Sequence, residues 1–169
     1  MTTRTPSTPC IGVCSTVFGD PVCRGCRRFT HEVVHWNGYD AASKALVWQR
    51  LSDLLELVVN NYIEVVDSPL LAEQMGYQNL RCQPQLTPEG WVPELLKAAG
   101  QQPLPYAQFG LKPTLSARGL SPRQLYDRIS EESYALARAH YDRSFARPVK
   151  PTKELVVQAA KEKGWEIPE

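Results

Sequence analysis

The sequence predicts a mainly α-helical protein: a small four-cysteine metal knuckle followed by an irregular α-helical bundle. Three observations predict it. Four of the five cysteines, Cys10, Cys14, Cys23 and Cys26, fall within 17 residues. Downstream, caps, prolines and glycines mark a succession of helix starts and stops. No segment sustains the period-two alternation and turn-rich flanks of a strand. The 169 residues therefore divide into a metal-binding module at 1–38 and a helical body at 39–169. A Pro/Gly-rich connector interrupts the body at about 101–120.

Composition excludes several classes. Lys plus Arg number 19 against 18 Asp plus Glu, a formal charge of +1. That balance gives no global footprint for nucleic acid. Hydrophobic residues make up 43%, enough for a core. No apolar run approaches the ~20 residues that span a bilayer, so no membrane partner is expected. Met1 to Pro9 is polar with no apolar stretch behind it, unlike a signal peptide, and the expected location is cytoplasmic.

The cysteines follow C-x3-C-x8-C-x2-C. In a reducing compartment, clustered thiols hold a metal more often than they form disulfides. Two short pairs bring four sulfurs to one centre at little loop-closure cost. Gly12 and Gly25 lie inside the pairs, and Gly19-Asp20-Pro21 supplies a return turn. Four thiolates around a dication leave a net charge of about −2. Arg24, Arg27 and Arg28 flank the second pair, where they offset that charge and favour thiolates. A zinc ion and an iron–sulfur cluster both fit this ligand set, and the tight Cys23–Cys26 turn slightly favours zinc. Cys82 stands alone and reads as an ordinary semi-buried residue.

The stretch Pro9-Cys10-Ile11-Gly12-Val13-Cys14, then Val22-Cys23-Arg24-Gly25-Cys26-Arg27-Arg28, then Thr30, Glu32 and Trp36, resembles a bacterial family. This is the "domain of unknown function 1289" family, whose members are described as predicted iron–sulfur proteins. The resemblance covers about Thr8 to Leu51. It implies a ligand role for Cys10, Cys14, Cys23 and Cys26 and assigns no reaction. The family's R-T step reads Arg28-Phe29-Thr30 here.

His31-Glu32-Val33-Val34-His35 matches H-E-x-x-H, which on a helix sets two imidazoles on one face with a Glu as general base. Thr30 is the expected N-cap, and Asn37-Gly38 the stop. The helix is short, sits directly behind the knuckle and has no marked third ligand. A surface face, or contacts from His31 and His35 to the sulfurs, therefore takes precedence over a zinc hydrolase.

The body follows in order. Asp40 caps a helix from about Ala41 to Val66, apolar over half its wheel. Ser68-Pro69 opens a short helix closed by Gly76. Thr87-Pro88 or Val92-Pro93 opens one ending at Gly100. The 101–119 stretch, with Pro103, Pro105, Gly110 and Pro113, reads as an extended connector. Ser121-Pro122-Arg123-Gln124 is a capping box for a helix reaching about Ala146. Thr152 caps a last helix to Lys163, with Gly164 and Trp165 after it.

The Pro122–Ala146 helix is apolar on two sides. Leu125, Ile129 and Leu136 form one line, and Tyr134, Tyr141 and Phe145 another, with Arg138 beside it. Such a helix is sandwiched in a core or faces a partner. Aromatics among arginines also suit nucleic acid, but these arginines form no stripe and acids dilute them.

The function expected from the sequence is thus a non-catalytic, metal-binding accessory protein whose four-cysteine site orders an N-terminal interaction module toward a protein partner. The alternatives are an iron–sulfur electron-transfer or redox-sensing protein and a nucleic-acid-associated zinc protein. Phe18, Val22, Phe29 and Trp36 are expected to dock the module on the long helix.

Overall fold

The computed structural model describes residues 8–145. The fold is mainly α-helical. Helix α1 spans Thr30–His35, α2 Ala41–Val59, α3 Ser68–Tyr77, α4 Val92–Ala99 and α5 Pro122–Phe145. A two-stranded antiparallel sheet pairs β1 (Ile63–Val65) with β2 (Leu111–Pro113), Glu64 opposite Lys112. The helix expected at Thr152–Lys163 lies outside the described residues.

Local chemistry sets the helix boundaries. Asp40 and Asp67 accept the backbone N–H groups of Ser43 and Leu70 and so cap α2 and α3. Ser121 and Gln124 form the reciprocal capping box of α5, at 3.2 and 2.9 Å. Helix α4 ends at Gly100.

Several expectations change. Helix α3 runs through Gly76 to Tyr77 instead of closing at Gly76. Helix α2 ends at Val59 instead of Val66. Beyond Asn60-Asn61 the chain turns, and Ile63-Glu64-Val65 joins β2. Branched side chains favour the sheet, and Ile63 becomes fully buried there. The 101–120 stretch is no loose connector. Phe109, Leu111 and Ala117 enter the same core as Val58, Leu71, Leu96 and Leu125. Gly110 makes this path possible: its φ is +67°, and a Cβ would lie 2.5 Å from the Asp67 carbonyl oxygen. The buried line of α5 runs Leu125, Ile129, Ser133, Ala137, while Leu136 is exposed. Small residues at 133 and 137 let α2 and α5, which pack together, approach closely.

Two smaller clusters carry the N-terminal segment. Trp36 packs with Val47, Trp48 and Leu51 of α2. Val22 and Phe29 pack on Ala137 of α5, with Leu54, Tyr134 and Tyr141 around them. Val22, Phe29 and Trp36 are buried as expected, whereas Phe18 is 89% exposed. Phe18 ends a 3-10 turn, Ser15–Phe18, that has no buried residue, so it projects away from the helices.

Candidate metal centre

The Cys23–Cys26 turn is built by its own backbone. Val22 and Phe29 bridge in antiparallel fashion. Cys23 N donates to Arg28 O at 2.9 Å, and Arg27 N to Cys23 O at 2.8 Å. Arg27 closes the turn at φ 61°, a left-handed conformation unusual for a residue with a Cβ. Its guanidinium compensates by bonding Gly25 O at 2.8 Å and, across the fold, Ser130 O at 2.6 Å and Ser130 Oγ at 2.7 Å.

The first cysteine pair lies against this turn. Gly12, at φ +88°, places its N–H 3.4 Å from Cys10 Sγ. Cys14 Sγ is 3.0 Å from Thr16 Oγ1. Arg24 N donates to Ser15 Oγ at 2.8 Å, and Cys23 Sγ lies 3.7 Å from Val13 O. Gly25 has an ordinary φ. It matters because a Cβ there would sit 2.6 Å from Val13 O and 3.0 Å from Ile11. Gly25→Ala is therefore expected to push the two segments apart and cost about 1–3 kcal/mol through overpacking. Urea unfolding measures this, and unchanged stability would refute the packing argument.

The electrostatics distinguish the sulfurs. Burial pushes the Cys23 thiol up, but the backbone N–H groups of Cys26, Ser15 and Gly25, with the Cys26 thiol, outweigh it, and the thiol ends below its ordinary value. Ser15 belongs to the first pair's segment and Gly25 to the second's, so both halves of the motif stabilise one thiolate. Burial raises Cys26 above its ordinary value despite Arg28, whose Nε lies 3.3 Å from the sulfur. Buried Arg28 also stacks on Trp36 at 4.8 Å. Arg24 faces outward, paired with Asp20 at 3.1 Å and lying over the Tyr134 ring at 4.4 Å.

The structure thus brings Cys23 and Cys26 together and lays the Cys10–Cys14 loop beside them. Among the described residues, no three His, Cys, Asp or Glu side chains are gathered to hold a metal ion as they stand. The donor chemistry nonetheless fits a thiolate-bound cation: soft sulfurs, N–H groups directed at them and Arg28 beside one. Cys82 sits apart, 3.9 Å from Met75 Sδ, with its thiol raised by burial.

The H-E-x-x-H residues have other partners. Thr30 is the first residue of α1, and Phe29 takes the N-cap position. Glu32 is buried and accepts Phe29 N at 2.7 Å and Arg50 of α2 at 2.5 Å. His31 packs its ring on Phe145 and Phe29. His35 is exposed, its Nδ1 2.8 Å from the His31 carbonyl oxygen. Glu32 therefore ties the knuckle to α2. Burial lowers Arg50 from its ordinary value, and Glu32 opposes that shift. Glu32→Ala leaves this partly buried guanidinium without its carboxylate, at an expected cost of about 3 kcal/mol in urea unfolding. A cost under about 0.5 kcal/mol, the range of an exposed pair, would show the bridge to be inconsequential.

The aromatic line of α5 receives the knuckle. Phe29 meets Tyr141 and Phe145 edge-on, each at 5.4 Å, and His140 at 5.6 Å. Arg50 lies over its other face at 3.9 Å. Tyr134 packs on the same cluster, whereas Arg138 is exposed and paired with Asp142 at 3.2 Å. Arg50, Ser130 and His140 are contacts that sequence reasoning missed. They carry no motif, and only the fold makes them neighbours.

Residues 8–55 match the family described as "Protein of unknown function (DUF1289)", which supports the resemblance carried by the cysteine motif. The match covers the knuckle, α1 and most of α2. No curated protein and no solved structure matches the chain. Among the described residues, no helix is long and apolar enough to cross a membrane.

Proposed function

We propose that Cys10, Cys14, Cys23 and Cys26 bind one metal centre, a zinc ion or an iron–sulfur cluster, which orders an N-terminal interaction module on the helical body. The protein acts as a metal-binding accessory protein rather than a catalyst. One observation carries this reading: the two cysteine segments pack directly on each other, with Arg24 N bonded to Ser15 Oγ at 2.8 Å, Cys23 Sγ 3.7 Å from Val13 O and Gly25 closely opposed to Val13 and Ile11. The amides of Cys26, Ser15 and Gly25 also lower the Cys23 thiol from its ordinary value, which favours the deprotonated form that metal ligands need. Binding requires the Cys10–Cys14 loop to turn its sulfurs toward the Cys23–Cys26 pair. The cation would neutralise charge there, with Arg28 on Cys26 and Arg27 beside it.

Purification without oxygen, followed by metal analysis and an absorption spectrum, tests the proposal. A colourless protein with one zinc per chain identifies a structural site. A brown protein whose visible absorption bleaches with reductant identifies the cluster and a redox or sensing role. Four thiols that react freely, with no metal after reconstitution, would overturn both.

A further inference from the structure

A cavity of about 450 Å³ opens between the cysteine turn and the helical body. Cys10 and Cys26 contribute to one wall, and Trp48, Trp91 and Tyr126 supply aromatic surface on the others. The volume lies within the ~300–1,000 Å³ typical of small-molecule sites. The Trp91 indole N–H is already bonded to Gln83 O at 2.9 Å, so this wall is set in advance. Arg81 and Lys97 also line the cavity, and both are exposed. Neither forms an ion pair among the described residues. The half-buried Arg27 guanidinium contributes a third positive charge; its terminal nitrogens bond carbonyl and hydroxyl oxygens, and among the described residues its Nε has no hydrogen-bond partner and no carboxylate pairs with it. Glu94 is the opposing charge on the lining.

We propose that this cavity binds a small organic anion with a flat apolar body, the body lying among Trp48, Trp91 and Tyr126 and the charge meeting Arg81 and Lys97. Aromatic walls favour a planar ligand. Arg81, Lys97 and Arg27 outnumber Glu94 on the lining, an excess of positive charge that favours an anion, and Glu94 disfavours a polyanion such as a polyphosphate. The proposed contacts, Trp48, Trp91, Tyr126, Arg81 and Lys97, lie on the helical body, so the site does not rest on a metal at the cysteines; a metal that turns the Cys10–Cys14 loop would reshape only the cysteine side of the lining.

Calorimetric titration with anilinonaphthalene sulfonate, a monoanion carrying a flat naphthalene ring, tests the site on the full chain as purified. Metal content is measured in parallel, so failure of this site and failure of the metal reading are separable. Saturable binding at one probe per chain is expected. The double variant Arg81→Glu, Lys97→Glu, on exposed positions, should weaken it at least about tenfold. The same variant should change binding of the neutral analogue phenylnaphthylamine by less than about twofold. Phe18→Ser, which removes an exposed apolar side chain away from the cavity, should leave both unchanged. Absence of saturable binding overturns the proposal. So does binding that Phe18→Ser abolishes and the charge reversal leaves intact, because the probe then sits on the outer surface.

Discussion

Cys23→Ser is expected to abolish metal binding and to release residues 8–28 from the fold, leaving the α3–α5 core in place. Cys23 is 1% exposed and receives more stabilising contacts than the other thiols. Serine keeps the volume but supplies no thiolate. In small cysteine modules the metal's binding free energy, about 10–16 kcal/mol for structural zinc peptides, is largely folding free energy. The N-terminal segment has few core residues beyond Val22, Phe29 and Trp36, so under the proposed metal binding, loss of the metal would remove much of what holds these loops. Metal analysis should fall from one equivalent to background, and amide exchange in residues 8–28 should lose protection. Cys82→Ser serves as the control and should retain full metal content. Retention of one metal by Cys23→Ser would remove this cysteine from the ligand set and break the proposed quartet.

Phe29→Ala carries the second large effect. The ring is 3% exposed and touches Tyr141, Phe145 and His140 of α5 and Arg50 of α2. Deleting a buried phenylalanine side chain costs about 3–5 kcal/mol through lost transfer energy and the cavity left behind. Here the loss also separates the knuckle from both helices that hold it. Urea unfolding followed by tryptophan emission should show the reduced stability. Phe29→Leu, which fills part of the space, should recover a substantial share. Equal stability of the alanine variant and the parent would show that Phe29 does not anchor the module.

Phe29 also illustrates what was legible. The sequence marks it as one of four apolar residues expected to dock the knuckle on the long helix, without saying which partners it meets. Folded, it is the centre of the contact between knuckle and body. The aromatic line Tyr134, Tyr141 and Phe145 was equally visible on the helical wheel as a second apolar face. Its occupant was not, because periodicity reports that a face needs burial and not what buries it. H-E-x-x-H shows the converse. The spacing is real and the helix forms, yet Glu32 is committed to Arg50 and the Phe29 amide.

By itself, the sequence determined the mainly helical class, the capped starts of α2 and α5, the opening of α3 at Ser68-Pro69, the stop of α4 and the cysteine spacing. Each is written in a few adjacent residues whose hydrogen bonds and backbone preferences act locally. Only the tertiary structure decided that Ile63–Val65 leaves α2 to pair with Leu111–Pro113, that the Pro/Gly-rich stretch enters the core, and that Arg27 reaches Ser130. These choices depend on partners tens of residues away. Their contribution comes from burial and from satisfying buried polar groups, which exist only once the helices have assembled.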